Sequence, residues 1–151
     1  TPHRIKNAKI MVWDSDRALT AEIVKNLKLS GCENLTVATE VLTQPQFDLV
    51  VISGRPNSPH FAINSAVIYT IANGVEGAVS TIATDASVPS RIEAVGEHVK
   101  CGQLVSFQPT ISIIAAVCVQ EAIKRITGQH PPLENTFIFN ALELRSSVKL
   151  L

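Results

Sequence analysis

The residues best placed to do chemistry are Asp14 and Asp16, which flank Ser15 where a short apolar run gives way to a helical pattern. A strand-to-helix turn at such a place is where nucleotide-binding α/β folds hold phosphate. They do so through backbone N–H groups that glycines leave bare. Here the turn reads Ser15-Asp16-Arg17-Ala18-Leu19-Thr20, with no glycine. Side chains occupy every position, and the two aspartates put negative charge where a phosphate would sit. They could hold a cation, but capping the helix that follows explains them more simply. The sequence therefore predicts a nucleotide-binding architecture that does not bind nucleotide in the usual way. It predicts neither catalytic nor metal-binding residues.

The other reactive side chains have plainer readings. Arg55 follows an apolar run and could contact an anion, although an arginine between Gly54 and Pro56 also reads as a solvated loop residue. His60 could serve as a general base, a role suited to histidine as a residue type, but no partner is evident. His98 and Cys101 are three apart and could pair as base and nucleophile, yet Gly96 and Gly102 bracket them in a loop-like context. Glu121 and Lys124 read as a surface ion pair. Trp13, ending the first apolar run, could fill space that a nucleotide would otherwise take; its indole N–H would then need an acceptor.

A chain of 151 residues can build one sizeable core and is too short for two ordinary domains, so a single domain over 1–151 is expected. Thirteen basic and thirteen acidic side chains cancel, which leaves no global field to recruit nucleic acid or an anionic membrane. Charged residues make up only 17% and apolar ones 46%, a balance that suits a subunit with a covered face, in a hetero- or homodimer. Cys32, Cys101 and Cys118 form no CxxC pair and suggest neither zinc nor a disulfide framework, pointing to a reducing compartment, cytoplasmic or nuclear. No apolar run has membrane-spanning length and no signal peptide is evident. The chain starts at Thr1 without methionine, so it reads as processed or excerpted.

The elements that would position these residues follow from periodicity. Lys9 to Trp13 is a short apolar run consistent with a buried parallel strand. Ala18, Ala21, Ile23, Val24 and Leu27 recur at helical spacing over Arg17 to Leu29, and Gly31 stops the helix. Strands are expected at Leu35–Thr39 and Phe47–Ser53. A helix is expected from about His60 to Asn73, its stripe drawn from Phe61, Ile63, Val67, Ile68 and Ile71, followed by a strand from Ala78 to Thr84. Asp85 to Gly102 reads as a loop with one short helix. Thr110 to Thr127 is a long apolar helix opened by Pro109 and closed by Gly128. Thr136–Phe139 and Ser147–Leu150 form a closing antiparallel hairpin. The order implies a Rossmann-like α/β fold, a mostly parallel sheet flanked by helices.

Several of these segments carry a resemblance. Lys6-Asn7-Ala8-Lys9-Ile10, then Ala21-Glu22-Ile23-Val24-Lys25-Asn26-Leu27-Lys28-Leu29-Ser30-Gly31, resemble the opening of the ThiF/MoeB and ubiquitin-activating enzyme superfamily. Val119-Gln120-Glu121-Ala122-Ile123-Lys124, Thr127-Gly128-Gln129 and Asn135 to Glu143 resemble its last helix and closing strands. The segment from Asp85 to Gly102 is unmatched.

The resemblance implies adenylation of the C-terminus of a ubiquitin-like protein or sulfur carrier with MgATP, and this chain departs from each element that reaction uses. The glycines of the family's turn fall on Ser15, Ala18 and Thr20. The ribose-binding acid falls on Thr39, with Glu40 beside it, and the Asn-x-x-Arg segment is absent, only Val41 to Gln46 filling that interval. The aspartate that holds magnesium falls on Arg55, a reversal of charge. The chain thus resembles the degenerate, non-ATP-binding half of heterodimeric activating enzymes of the SUMO and NEDD type. On that reading it binds no cofactor itself, ATP and Mg sit on a partner, and the partners are an active adenylating subunit and a ubiquitin-like protein. No Tyr-Asp-Arg-Gln-like segment precedes Lys6; Arg4 is the arginine there that could reach a partner's phosphate. Two alternatives stand beside this reading: a compact enzyme using nucleotide or nicotinamide in an altered mode, and a stand-alone Rossmann-like scaffold acting in protein–protein interaction or regulation.

Overall fold

Ile10, Met11, Val12 and Trp13 are all buried, as a strand covered on both faces requires. They form β1 (Ile10–Asp14) in a computed structural model that describes residues 2–40, 47–57, 65–82, 88–99, 106–133 and 135–151. The other elements, in chain order, are α1 (Pro2–Asn7), α2 (Arg17–Leu29), β2 (Leu35–Ala38), β3 (Leu49–Ser53), β4 (Ala66–Asn73), β5 (Glu76–Ile82), α3 (Val88–His98), α4 (Gln108–Thr127), β6 (Thr136–Asn140) and β7 (Arg145–Lys149).

The strands make one seven-stranded sheet in the order β2-β1-β3-β4-β5-β6-β7. The first four run parallel, with Ile10 opposite both Leu35 and Leu49, and Leu49 opposite Ala66. From β4 onward each neighbour is antiparallel. Side-chain alternation splits the core in two. Ile10, Val12, Leu49, Val51 and Ile68 face α2 and α4, whereas Met11, Trp13, Val50, Ile52, Val67 and Tyr69 face α3. Helix α4 settles directly on β5 at Gly77, where Ile114 takes the space a side chain would need.

Helix α2 has the expected bounds because its ends are chemically marked. Asp16 is the N-cap, accepting from Leu19 N at 3.3 Å, and Gly31 takes φ +102 just past the end. Helix α4 likewise ends at Gly128 with φ +66. The closing hairpin also forms as expected, now as β6 and β7.

One expectation is corrected. The helix assigned to His60–Asn73 is strand β4 over Ala66–Asn73; residues 58–64 lie outside the described residues. Val67, Ile68, Tyr69, Thr70 and Ile71 are β-branched or aromatic, and they are buried or half-buried from both sides of the sheet. In so apolar a run, positions that match a helical stripe match a two-sided strand as well. Gly74, expected to stop a helix, instead turns the β4–β5 hairpin with φ +61, setting Asn73 opposite Glu76. The strand expected at Ala78–Thr84 begins two residues earlier, at Glu76, as β5. Helix α3 is the one helix expected within the segment from Asp85 to Gly102, and α1 had no counterpart in the sequence pattern.

Candidate functional site

Strand β1 has β2 on one side and β3 on the other, so the chain reverses direction of travel across the sheet at β1. In open α/β sheets the ligand crevice lies at that point, beyond the carboxyl ends of the strands. Asp14, Ser15 and Asp16 stand there, with Ser53, Gly54 and Arg55 at the end of β3.

The turn is tied down at every step. Ser15 N donates to Ser53 O at 2.8 Å, and Ser53 Oγ donates back to Asp16 O at 3.3 Å. Thr20 N donates to Asp16 O at 2.9 Å, while Thr20 Oγ1 donates to Asp14 Oδ1 at 2.9 Å. Gly54, at φ +84, lies under the turn: a Cβ there would stand 2.8 Å from Asp16 Cβ and 2.9 Å from Ser15 C. Leu19 and Thr20 are buried in the first turn of α2, Leu19 as part of the core. Ser15, Arg17 and Ala18 are exposed.

An anion approaching this helix N-terminus meets Asp16, whose carboxylate already accepts from Leu19 N, the third amide of the helix. A phosphate 4 Å from a carboxylate is repelled by about 4 kcal/mol per charge at an effective dielectric of 20. The macrodipole attraction it would gain is at most about 2 kcal/mol. The geometry thus favours capping over anion binding.

Trp13, at the end of β1 beside the turn, packs into the core on the α3 face. Its indole is 3% exposed and Nε1 donates to Thr39 O at 3.2 Å. The indole therefore lies against the residue that follows β2, and Glu40 stands exposed beyond it. Val41 to Gln46 lie outside the described residues.

Arg55 reaches toward α3, on the face of the sheet where Trp13 also packs. Its Nη1 lies 3.8 Å from where a Cβ on Gly96 would be, in the last turn of α3, a place where the helix dipole favours a cation. Its charge also reaches Tyr69, whose phenol burial pushes up to about 12 while Arg55 pulls in the other direction. The Tyr69 hydroxyl is buried and has no hydrogen-bond partner among the described residues.

The remaining candidates separate. His98 is exposed at the end of α3, and Cys101 and His60 lie outside the described residues. Burial raises the pKa of both Cys32 and Cys118, so neither offers a thiolate. The Glu121–Lys124 pair is not the surface pair the sequence suggested: Glu121 is buried, 2.7 Å from Lys124 Nζ, and it accepts from Leu133 N. The segment after α4 folds back over the helix, and this carboxylate fastens it. Arg4 Nη1 donates to Thr127 O at 3.1 Å and so caps α4. Among the described residues no group of three or more His, Cys, Asp and Glu side chains could hold a metal, and no helix is long and apolar enough to cross a membrane. A groove of 650 Å³ lies away from the turn, between α2 and α4, lined by Asn26, Ser30, Val117, Ile123, Lys124 and His130 among others.

Tyr69 and Gly54 were not singled out in the sequence as parts of this region. Tyr69 lay in the segment read as helix. Gly54 carried a usable signal, a glycine at the end of an apolar run, which commonly marks close backbone approach.

No protein-family model and no curated protein matches the chain. Solved structures do. E. coli MccB with succinimide superposes with a TM-score of 0.71 at 12% identity, covering 98% of this chain and 65% of that one. E. coli MccB with ATP gives 0.67 at 13% identity, covering 98% and 65%. SeMet PaaA gives 0.55 at 16% identity, covering 97% and 73%. The chain shares the Rossmann-like α/β fold of these structures and spans about two thirds of the length of MccB.

Proposed function

We propose that this chain is a non-catalytic subunit of a ubiquitin-like-protein activating enzyme of the SUMO or NEDD type, supporting adenylation of the modifier by an active partner. One observation carries the reading: at the place where the fold would hold nucleotide, the β1–α2 turn is capped by its own Asp16 and seated on Gly54. Trp13 lies beside it against the end of β2. Likeness of fold to MccB, a ThiF/MoeB-like adenylating enzyme solved with ATP and with N-formylated MccA, supports descent from an activating enzyme that acts on a peptide or protein. On this reading ATP and magnesium belong to the partner subunit, and the chain contributes surface rather than chemistry.

The test is reconstitution. Pyrophosphate exchange is measured for a SUMO- or NEDD-type adenylating subunit and its modifier, with and without this chain, and for the chain alone. The expected result is no exchange by the chain alone and a clear gain when it is added to the adenylating subunit. Exchange by the chain alone, or no gain and no complex with either subunit, refutes the reading. The second of these outcomes would leave the stand-alone scaffold.

A further inference from the structure

Strand β7 closes the sheet, and all five of its residues are exposed. In an antiparallel ladder every second residue of an edge strand directs its N–H and C=O away from the sheet, free to pair with another strand. Four of the seven large apolar side chains exposed among the described residues, Leu142, Leu144, Val148 and Leu150, lie in or beside this one hairpin. Val148 stands opposite Phe137, which stacks on Phe139 with ring centroids 6.3 Å apart. The opposite face of β7 carries Arg145 and Lys149, and neither forms an ion pair among the described residues.

We propose that the β7 edge docks an extended, acidic segment of a partner protein by antiparallel strand addition. Residues opposite Arg145 and Lys149 would be acidic, and those opposite Val148 and Leu150, on the other face, apolar. The two cations make the choice of occupant. Opposite charges facing across a ladder attract, and like charges repel. A second copy paired about Ser147 sets Arg145 against Lys149. Paired about Ser146, it runs into Leu144, which leaves extended backbone with φ +52. Paired about Val148, it runs into Leu151, whose N and O are both held inward by Asn135. Only the register about Ser146 sets an acid, Glu143, opposite a cation, Lys149, and there the break at Leu144 ends the ladder before Glu143 is reached. The proposal goes beyond the activating-enzyme reading and does not depend on it.

The test fuses a short alternating Glu-Val segment to Leu151 through a Gly/Ser linker, which raises its local concentration to the millimolar range. A Lys-Val fusion serves as control. Amide hydrogen exchange across β7 is the readout. The expected result is exchange at least tenfold slower in the Glu-Val fusion than in the control, with the preference reversed in the double variant Arg145→Glu, Lys149→Glu. Equal exchange in the two fusions overturns the proposal. So does a dimer of the unfused chain, seen by sedimentation, that Val148→Pro dissociates, because the edge would then belong to a second copy.

Discussion

Replacing Gly54 by alanine measures how tightly the β1–α2 turn is seated. Two costs add. The residue has φ +84, which for a side-chain-bearing residue costs ~1–2 kcal/mol. The new Cβ would also stand 2.8 Å from Asp16 Cβ, 2.9 Å from Ser15 C and 3.0 Å from Asp16 N. Two of those atoms are backbone and cannot swing aside, so overpacking adds ~1–3 kcal/mol. Gly54→Ala is therefore expected to destabilise the chain by ~2–5 kcal/mol. Gly128→Ala is the internal control: its φ is +66 and nothing lies within 4 Å of the added Cβ, so only the backbone cost of ~1–2 kcal/mol remains. Gly96→Ala supplies the opposite sign. It is helical, and its new Cβ meets only Arg55 Nη1 at 3.8 Å, so the substitution should stabilise by ~0.5–1 kcal/mol. Urea unfolding of the three variants, read as shifts of midpoint at unchanged slope, gives the comparison. A Gly54→Ala cost no greater than that of Gly128→Ala would mean the turn does not press on Gly54, and the closed-crevice account would lose its packing argument.

Three further outcomes are expected. Tyr69 is the chain's one tyrosine, and burial raises its pKa from 10.0 to about 12. Above pH 10 the unfolded chain releases this proton while the folded chain keeps it, so stability falls between pH 10 and 12 by roughly 3 kcal/mol in total. Tyr69→Phe should remove that fall in urea titrations across the window, and an unchanged slope would refute it. Because the hydroxyl lacks a partner among the described residues, the same variant should lose no more than ~1 kcal/mol at neutral pH. Lys124→Ala should cost more than an ordinary surface substitution, ~1–3 kcal/mol, because it leaves the buried Glu121 carboxylate without its cation. A change within about 0.5 kcal/mol in thermal unfolding would show that the pair contributes nothing.

What the sequence made legible was whatever local chemistry decides. Helix α2 could be bounded from Asp16 and Gly31, and α4 from Pro109 and Gly128, because caps and stops act within a turn of the chain. β1 and β3 were readable as uniformly apolar runs. β4 was not, because Val67, Ile68 and Ile71 satisfy a helical stripe and a two-sided strand equally; partners β3 and β5, distant choices, decide the matter. Helix α1 depends on tertiary contacts in the same way, with Ile5 packed on the core and Arg4 fastened to Thr127. At the site, the missing glycines and the paired aspartates could be seen in the sequence. The seat on Gly54, the Trp13 bond to the Thr39 carbonyl and the approach of Arg55 to α3 could not, since each joins segments more than twenty residues apart.

The central claim is that the fold's nucleotide crevice is closed in this chain, and calorimetry of the purified chain with MgATP tests it most directly. The account predicts no binding heat as ligand is carried into the millimolar range. A saturable, magnesium-dependent isotherm with Kd below about 100 μM, more than ~5 kcal/mol of binding free energy, would contradict it.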